Sequence, residues 1–270
     1  MIRIEEKDGW VLVGHQDHAR LAGEFARHWG NADFAPPEPR ADILVAVARH
    51  DDAWAVRDAQ PMLTREGRPG AFSHELVGKY NAFEEIDFAD YLGVRGRATE
   101  VVAKENPYAA VLISMHTVNL LTEHADVSKM IPAHQEMHRL FIENQQRRQV
   151  ALAAVAGVGR PADIAPARLQ RAFEFLQFCD SLSLTTCVHY PGPIPLRHAH
   201  PRRDGELVPL VCTPLSATHY RVAPYPFDQD ELPLKVPARR ISGVTFSDQA
   251  AFRAAYAAAP VEDLDVVIVR

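Results

Sequence analysis

Apolar positions recur at helical spacing through most of the first 190 residues. From Asp17 onward, Leu21, Ala22, Phe25 and Trp29 mark one face of a helix, and Gly30-Asn31 supplies its stop. A Pro-rich loop over 36–39 leads into a second apolar helix, 43–48, that ends at His50-Asp51. Helical periodicity returns over 87–104. Pro107 then fits the first turn of a helix carrying Val111, Leu112, Met115, Leu120 and Leu121, another helix begins after Pro132, and a last one runs over 169–184. Two short β-type runs, 2–6 and 10–13, flank Lys7-Asp8-Gly9 and predict a hairpin before the first helix. Residues 57–82 contain Pro61, Gly67, Pro69, Gly70 and Gly78 and read as an irregular excursion of the kind that covers a site.

Past residue 190 the pattern changes. Prolines 191, 193, 195 and 201 interrupt any helix, and short β-type runs follow at 207–212, 220–222, 232–236 and 265–269, with an Ala-rich helix over 248–258. The expected fold is mainly α. Residues 1–190 would form a helical core with its short N-terminal hairpin, 191–204 a Pro-rich linker, and 205–270 a small antiparallel β or α+β segment. A sheet of that size is marginal alone, so it should pack on the helices and recruit the hairpin.

Composition narrows the function. Of 270 residues 47% are hydrophobic, enough for a real core, and the net charge of -6 lacks the basic excess that a phosphate-backbone binder exploits, so nucleic acid is not an expected partner. No apolar run approaches the roughly 18 residues of a membrane span, and the first eight residues alternate in charge instead of forming a signal core. The chain reads as cytoplasmic. Cys179, Cys187 and Cys212 lack CxxC spacing and read as reduced, buried thiols. The one compositional oddity is thirteen histidines.

His50-Asp51 stands at the end of an apolar helix, where an imidazole nitrogen and the next carboxylate can reach one divalent ion. Read alone, the pair is a weak signal and more often serves as a C-terminal His on the helix dipole and a capping Asp. His18 falls on the face continued by Leu21, Ala22 and Phe25. Asp180 lies in the apolar setting Phe178-Cys-Asp-Ser-Leu, where a carboxylate needs a cation, either a metal or an Arg. His116, inside the apolar stretch 111–121, is a further ligand candidate or a satisfied core histidine. His134-Gln-Glu-Met-His138 has the spacing of a zinc-protease helix but Gln135 where that chemistry needs its Glu. His189, His198 and His200 sit in the Pro-rich segment and read as surface residues.

The ordered set His18, His50-Asp51, Asp180, each on its own helix, resembles the HD-domain superfamily of metal-dependent phosphohydrolases, and within it a bacterial HD-like family with a small C-terminal β segment. The likeness is carried by Gln16-Asp-His-Ala-Arg20, Arg49-His-Asp-Asp-Ala-Trp54, Ser114-Met-His116, the run 141–148, Cys179-Asp-Ser-Leu-Ser-Leu184 and Pro226-Phe227. It implies His18, His50, Asp51 and Asp180 as ligands of one metal, with Asp51 bridging where a second ion is present. His116 and either His74 or His124, with His74 preferred, would complete a two-metal site.

The implied activity is hydrolysis of a phosphate ester or nucleotide-like small molecule by metal-activated water. The metal would be Mn, Fe, Co, Ni or Zn. Asp52 would move a proton, while Arg49 and Lys79, with Arg20 and Arg57 as alternatives, would neutralise phosphate charge. Trp54, Phe72 and Tyr80 are candidates to select an organic group. The same superfamily resemblance also allows a diiron oxygenase that cleaves a C–H or C–C bond, with a dinuclear iron site. A third expectation, from another class, is a non-catalytic module for a small ligand. An exposed strand edge would permit homo-oligomers.

Overall fold

The computed structural model describes residues 1–73, 87–123 and 127–270. Strands β1 (Ile2–Glu6) and β2 (Gly9–Val13) form the hairpin, with Ile2 opposite Val13. Helices α1 (His15–His28), α2 (Arg40–Arg49), the short α3 (Ala55–Asp58), α4 (Phe88–Ala103), α5 (Pro107–Glu123), α6 (Pro132–Ala156) and α7 (Pro166–Cys187) follow. The chain closes with β3 (Ile194–Pro201), β4 (Leu207–Pro214), β5 (His219–Ala223), β6 (Glu231–Ser242), α8 (Gln249–Ala258) and β7 (Val261–Val269).

The expectation of a mainly α fold with a small C-terminal β segment is overturned. Helix accounts for 49% of the described residues and strand for 23%, and the strands form a seven-stranded mixed sheet curled into a half-barrel, so the fold is α+β. The strand order is β1-β2-β6-β7-β5-β4-β3, antiparallel throughout except where β5 runs parallel to β7. Both ends of the chain build it. β2 pairs with the end of β6, Trp10 opposite Ile241, and Gly9 is required there because any side-chain carbon would collide with the Ile241 carbonyl oxygen.

Proline placement explains why this sheet was hard to read. β6 spans twelve residues despite Pro233 and Pro237. Both lie outside the register shared with β2, where β6 pairs with β7 alone and a missing N–H costs no ladder bond. The segment expected as a linker contains β3, an edge strand that tolerates Pro195 and Pro201 because only one side is paired. Prolines and a register shift between Pro195 and Ala199 blunt that edge, and at the other edge Phe72 bonds the backbone of β1 (Arg3 N–H to Phe72 O, 2.7 Å).

Every residue of β2 is buried, because the sheet is covered on both faces. Val11 and Val13 face the main core, which joins Phe25, Trp29 and Phe34 to Phe175 and Phe178 of α7 and to Leu210, Val222, Leu232 and Val236 of the sheet. Trp10 and Leu12 point the other way, onto Phe252 of α8. Helices and strands thus share one core, with α1 and α7 lying against the sheet. The opposite sides of α1 and α7 meet α2 and α5, and it is there that the histidines converge.

Candidate metal centre

Four helices each bring one part of the cluster. On α1 the positions His18, Leu21, Ala22 and Phe25 are buried together, the i, i+3, i+4, i+7 stripe that turns His18 inward. His50 caps the C-terminus of α2 and keeps helical angles, whereas Asp51 leaves them (φ -115°, ψ 19°), so consecutive side chains turn into the same space. Asp180 lies in mid-α7 and His116 in mid-α5, both buried. Close approach of α1 to α2 depends on Gly23, where an added Cβ would come within 2.7 Å of the Ala48 methyl.

The side chains of His18, His50 and Asp180 each offer one ligand atom, and these atoms all lie within 4.8 Å of one another. His50 Nε2 is 3.3 Å from Asp180 Oδ1, but without hydrogen-bond direction, and this buried nitrogen has no hydrogen-bond partner. His50 Nδ1 faces the Val47 carbonyl at 2.7 Å and donates to it, so Nε2 is the nitrogen that offers a ligand lone pair once the ring gives up its second proton. His18 is prepared in the same way. Ser183 donates its hydroxyl to the Asp180 carbonyl (2.9 Å), so its oxygen accepts from His18 Nδ1 (2.9 Å), and Nε2, in contact with Asp51 Oδ2, is the nitrogen turned toward the cluster. His116 Nε2 lies 3.9 Å from Asp180 Oδ2, and its buried Nδ1 has no partner.

Asp51 is placed differently. Its Oδ2 is 3.2 Å from His18 Nε2, but its Oδ1 accepts from Arg95 of α4 at 2.7 Å, and Arg95 is itself buried against the rings of Trp54 and Tyr91. Asp51 therefore already has a cation. Burial would raise its pKa, yet the Arg95 guanidinium, with His50 and His18, holds it well below the usual carboxylate range. Burial would likewise push the His50 imidazole down, but the Asp51 and Asp180 carboxylates reverse this and lift it to about 9. Asp180 is held low against its own burial, first by His50. Burial pushes His116 down to about 3, despite the neighbouring Asp180. An orphaned nitrogen, two prepared histidine tautomers and buried carboxylate charge make a donor set that fits a transition-metal ion.

The other sequence candidates are placed elsewhere. Asp52 is engaged at both oxygens, by Arg49 Nε (2.6 Å) and Gln16 Nε2 (3.0 Å), and Arg49 also bonds Glu105 (2.7 Å). Arg20 is exposed and pairs with Asp17, and Arg57 pairs with Asp90. Trp54 is buried and stacks on His15 with 4.5 Å between centroids, while Phe72 joins β1. His74, Lys79, Tyr80 and His124 lie outside the described residues. His138 bonds the Leu121 carbonyl (2.9 Å) and His134 packs on Phe88, which accounts for that pair without a metal. The surface expectation for the Pro-rich histidines fails for His200, which is buried among Trp29, Phe175 and Phe178, because β3 turns Leu196 and His200 into the core. The three cysteines are free and buried.

Sequence reasoning missed Arg95 and His15. Arg95 lies among the apolar residues of α4, and its only signal was a cation on a face that also carries Tyr91 and Leu92. His15 opens α1, and Asp58 accepts from its backbone N–H (2.6 Å) and faces its Nδ1 (3.0 Å).

Fold and site together define an α+β protein with a buried two-histidine, one-aspartate group able to hold a metal ion. Residues 1–243 match the family described as "Protein of unknown function (DUF3891)", and the chain belongs to that family. No curated protein and no solved structure matches it. Among the described residues no helix is long and apolar enough to cross a membrane.

Proposed function

We propose that this protein is a metal-dependent hydrolase of the HD type, acting on a small molecule through water activated at His18, His50 and Asp180. The observation that carries this reading is the convergence of three buried ligand atoms within 4.8 Å, one of them the unpartnered Nε2 of His50. Three protein ligands leave coordination positions for water and substrate. When bound, a divalent ion supplies Lewis acidity and an acidified water, so that no strong protein base is required. The chain's own residues would then orient the reactants. With His18 Nε2 on the ion, the neighbouring Asp51 Oδ2 would be left to accept a hydrogen bond from a reactant, and Arg95 keeps that carboxylate ionised. His116, neutral and with an unpartnered Nδ1, offers a second acceptor.

A second reading, iron-dependent oxygenation of a C–H or C–C bond, is favoured by a specific feature. Two histidines and one carboxylate with open positions suit non-haem iron. In addition, Arg20, Arg49 and Arg57, nominated to neutralise phosphate, are each paired with carboxylates other than those of the cluster. The test is turnover of a phosphomonoester and nucleotide panel by Mn- or Co-loaded protein, set beside oxygen consumption by Fe(II)-loaded protein. Hydrolysis abolished in Asp180→Asn supports the first reading. Oxygen consumption without hydrolysis supports the second.

A further inference from the structure

A buried centre needs a way in. His18 and His50 are essentially sealed, and Asp180 is the most exposed of the three, with 12% of its side chain accessible. On the far side of the cluster, beyond His18 and Asp51, entry of a cation is opposed by a fixed positive charge, the Arg95 guanidinium pinned by Asp51 and sandwiched against Trp54 and Tyr91. His15 stacks on the same Trp54 and closes that side further.

The seam between α5 and α7 has the opposite character. One turn beyond His116 on α5 stands Asn119, and one turn before Asp180 on α7 stands Gln177. They bond each other, Gln177 Nε2 to Asn119 Oδ1 at 2.6 Å, and His198 of β3 bonds Gln177 Oε1 at 2.6 Å. Gln177 is 1% exposed, yet Asn119 and His198 at its two ends are only half-buried, so the polar file runs to solvent from positions one turn away from His116 and Asp180 on their own helices. Its apolar neighbours Leu120, Leu176 and Phe173 offer a cation nothing. His198 is held at φ +62° within the β3 register shift, a left-handed conformation that an ordinary strand position does not demand and that aims its ring at Gln177. One further turn along the same two helices stand Glu123 of α5 and Glu174 of α7, the latter accepting from Gln170 Nε2 at 3.0 Å, and both carboxylates act electrostatically on the His198 ring with the adjacent Arg197 opposing them.

We propose that the α5–α7 seam is the entry route for the metal ion, with Glu123 and Glu174 drawing the hydrated cation to a mouth at His198, and the amide oxygens of Gln177 and Asn119 replacing its water on the way to Asp180. This inference rests on the metal-centre reading above. Carboxylates at the mouth raise the local cation concentration and steer the encounter, an effect on rate and not on final affinity. Asn119 Oδ1 becomes a transient oxygen ligand when Gln177 Nε2 releases it, and Gln177 Oε1 when the His198 ring releases it.

The test is stopped-flow uptake of Co²⁺ by the chelator-stripped full chain, followed by the cobalt d–d absorption, with the equilibrium Kd measured alongside. In Glu123→Gln/Glu174→Gln, two changes away from the core, uptake should slow about tenfold, with release slowed to match, and lose much of its dependence on ionic strength, while Kd and the bound spectrum stay at their wild-type values. Gln177→Leu should slow uptake and chelator-driven release together, leaving Kd near the wild-type value, while Gln177→Glu retains an oxygen and restores rapid uptake. Wild-type rates in the double variant and in Gln177→Leu, with cobalt still bound, would overturn the route while leaving the metal centre intact. Failure of the wild-type chain itself to bind Co²⁺ would sink the centre and the route with it.

Discussion

Replacing Arg95 by Met isolates the charge balance on which the cluster depends. Met keeps much of the aliphatic volume between Trp54 and Tyr91 but removes the guanidinium that bonds Asp51 at 2.7 Å. The two side chains are 8% and 5% exposed, so solvent screening offers little relief. Removing one partner of such a buried pair costs about 3–5 kcal/mol, because the remaining charge is stranded. For a chain of this length that corresponds to a fall in Tm of roughly 6–15 °C, at about 2–3 °C per kcal/mol. The assay is thermal unfolding of the chelator-treated protein, completed as a double-mutant cycle with Asp51→Asn. The double variant should be more stable than the sum of the single changes predicts, by about 2 kcal/mol. Co²⁺ should raise the Tm of Arg95→Met more than that of wild type, since a metal ion restores a cation beside Asp51. Destabilisation under about 1 kcal/mol, or strict additivity, would refute the argument that Arg95 neutralises Asp51.

Other consequences follow from the same geometry. Ser183→Ala removes the acceptor that fixes the His18 tautomer, and should weaken metal binding about 10–100-fold by titration while costing only about 1 kcal/mol of apo stability. Gly23→Ala inserts a methyl against Ala48 and should separate α1 from α2, lowering stability by about 1–3 kcal/mol in denaturant unfolding and weakening metal affinity in parallel. The pH dependence has a definite sign. His50 is raised from its ordinary 6.5 to about 9, so its ion pairing supports the apo protein fully below 6.5 and is lost as pH rises through 9, whereas metal binding must displace that proton. Metal affinity should therefore climb by about tenfold per pH unit between 6.5 and 9 while apo stability falls, and a pH-independent affinity would contradict it.

The parts of this molecule that could be read from sequence are those whose signal is local. His18 shares an apolar stripe with Leu21 and Phe25, and Asp180 is a carboxylate flanked by Phe178 and Leu182, so burial and the need for a partner were visible in a few residues. The sheet was not local. β2 and β6 come from opposite ends of the chain, and no short-range pattern records that Trp10 lies opposite Ile241. Prolines misled further. Pro195 and Pro201 suggested a linker, although each sits on an edge strand with one neighbour and loses no bond. Arg95 escaped notice because an arginine in a helix reads as surface charge until the partner at Asp51 is known. For the same reason Asp52 and Arg49 looked like part of the chemistry by adjacency, whereas they bond each other.

The central claim is that His18, His50 and Asp180 hold a metal ion. It is tested most directly by elemental analysis of wild-type and His50→Ala protein, each purified without chelators and again after reconstitution with Mn, Fe, Co, Ni or Zn. The account predicts at least one transition-metal ion per wild-type chain and its loss in His50→Ala. A wild-type chain that takes up no metal after reconstitution, or an ion retained unchanged in His50→Ala, would contradict it.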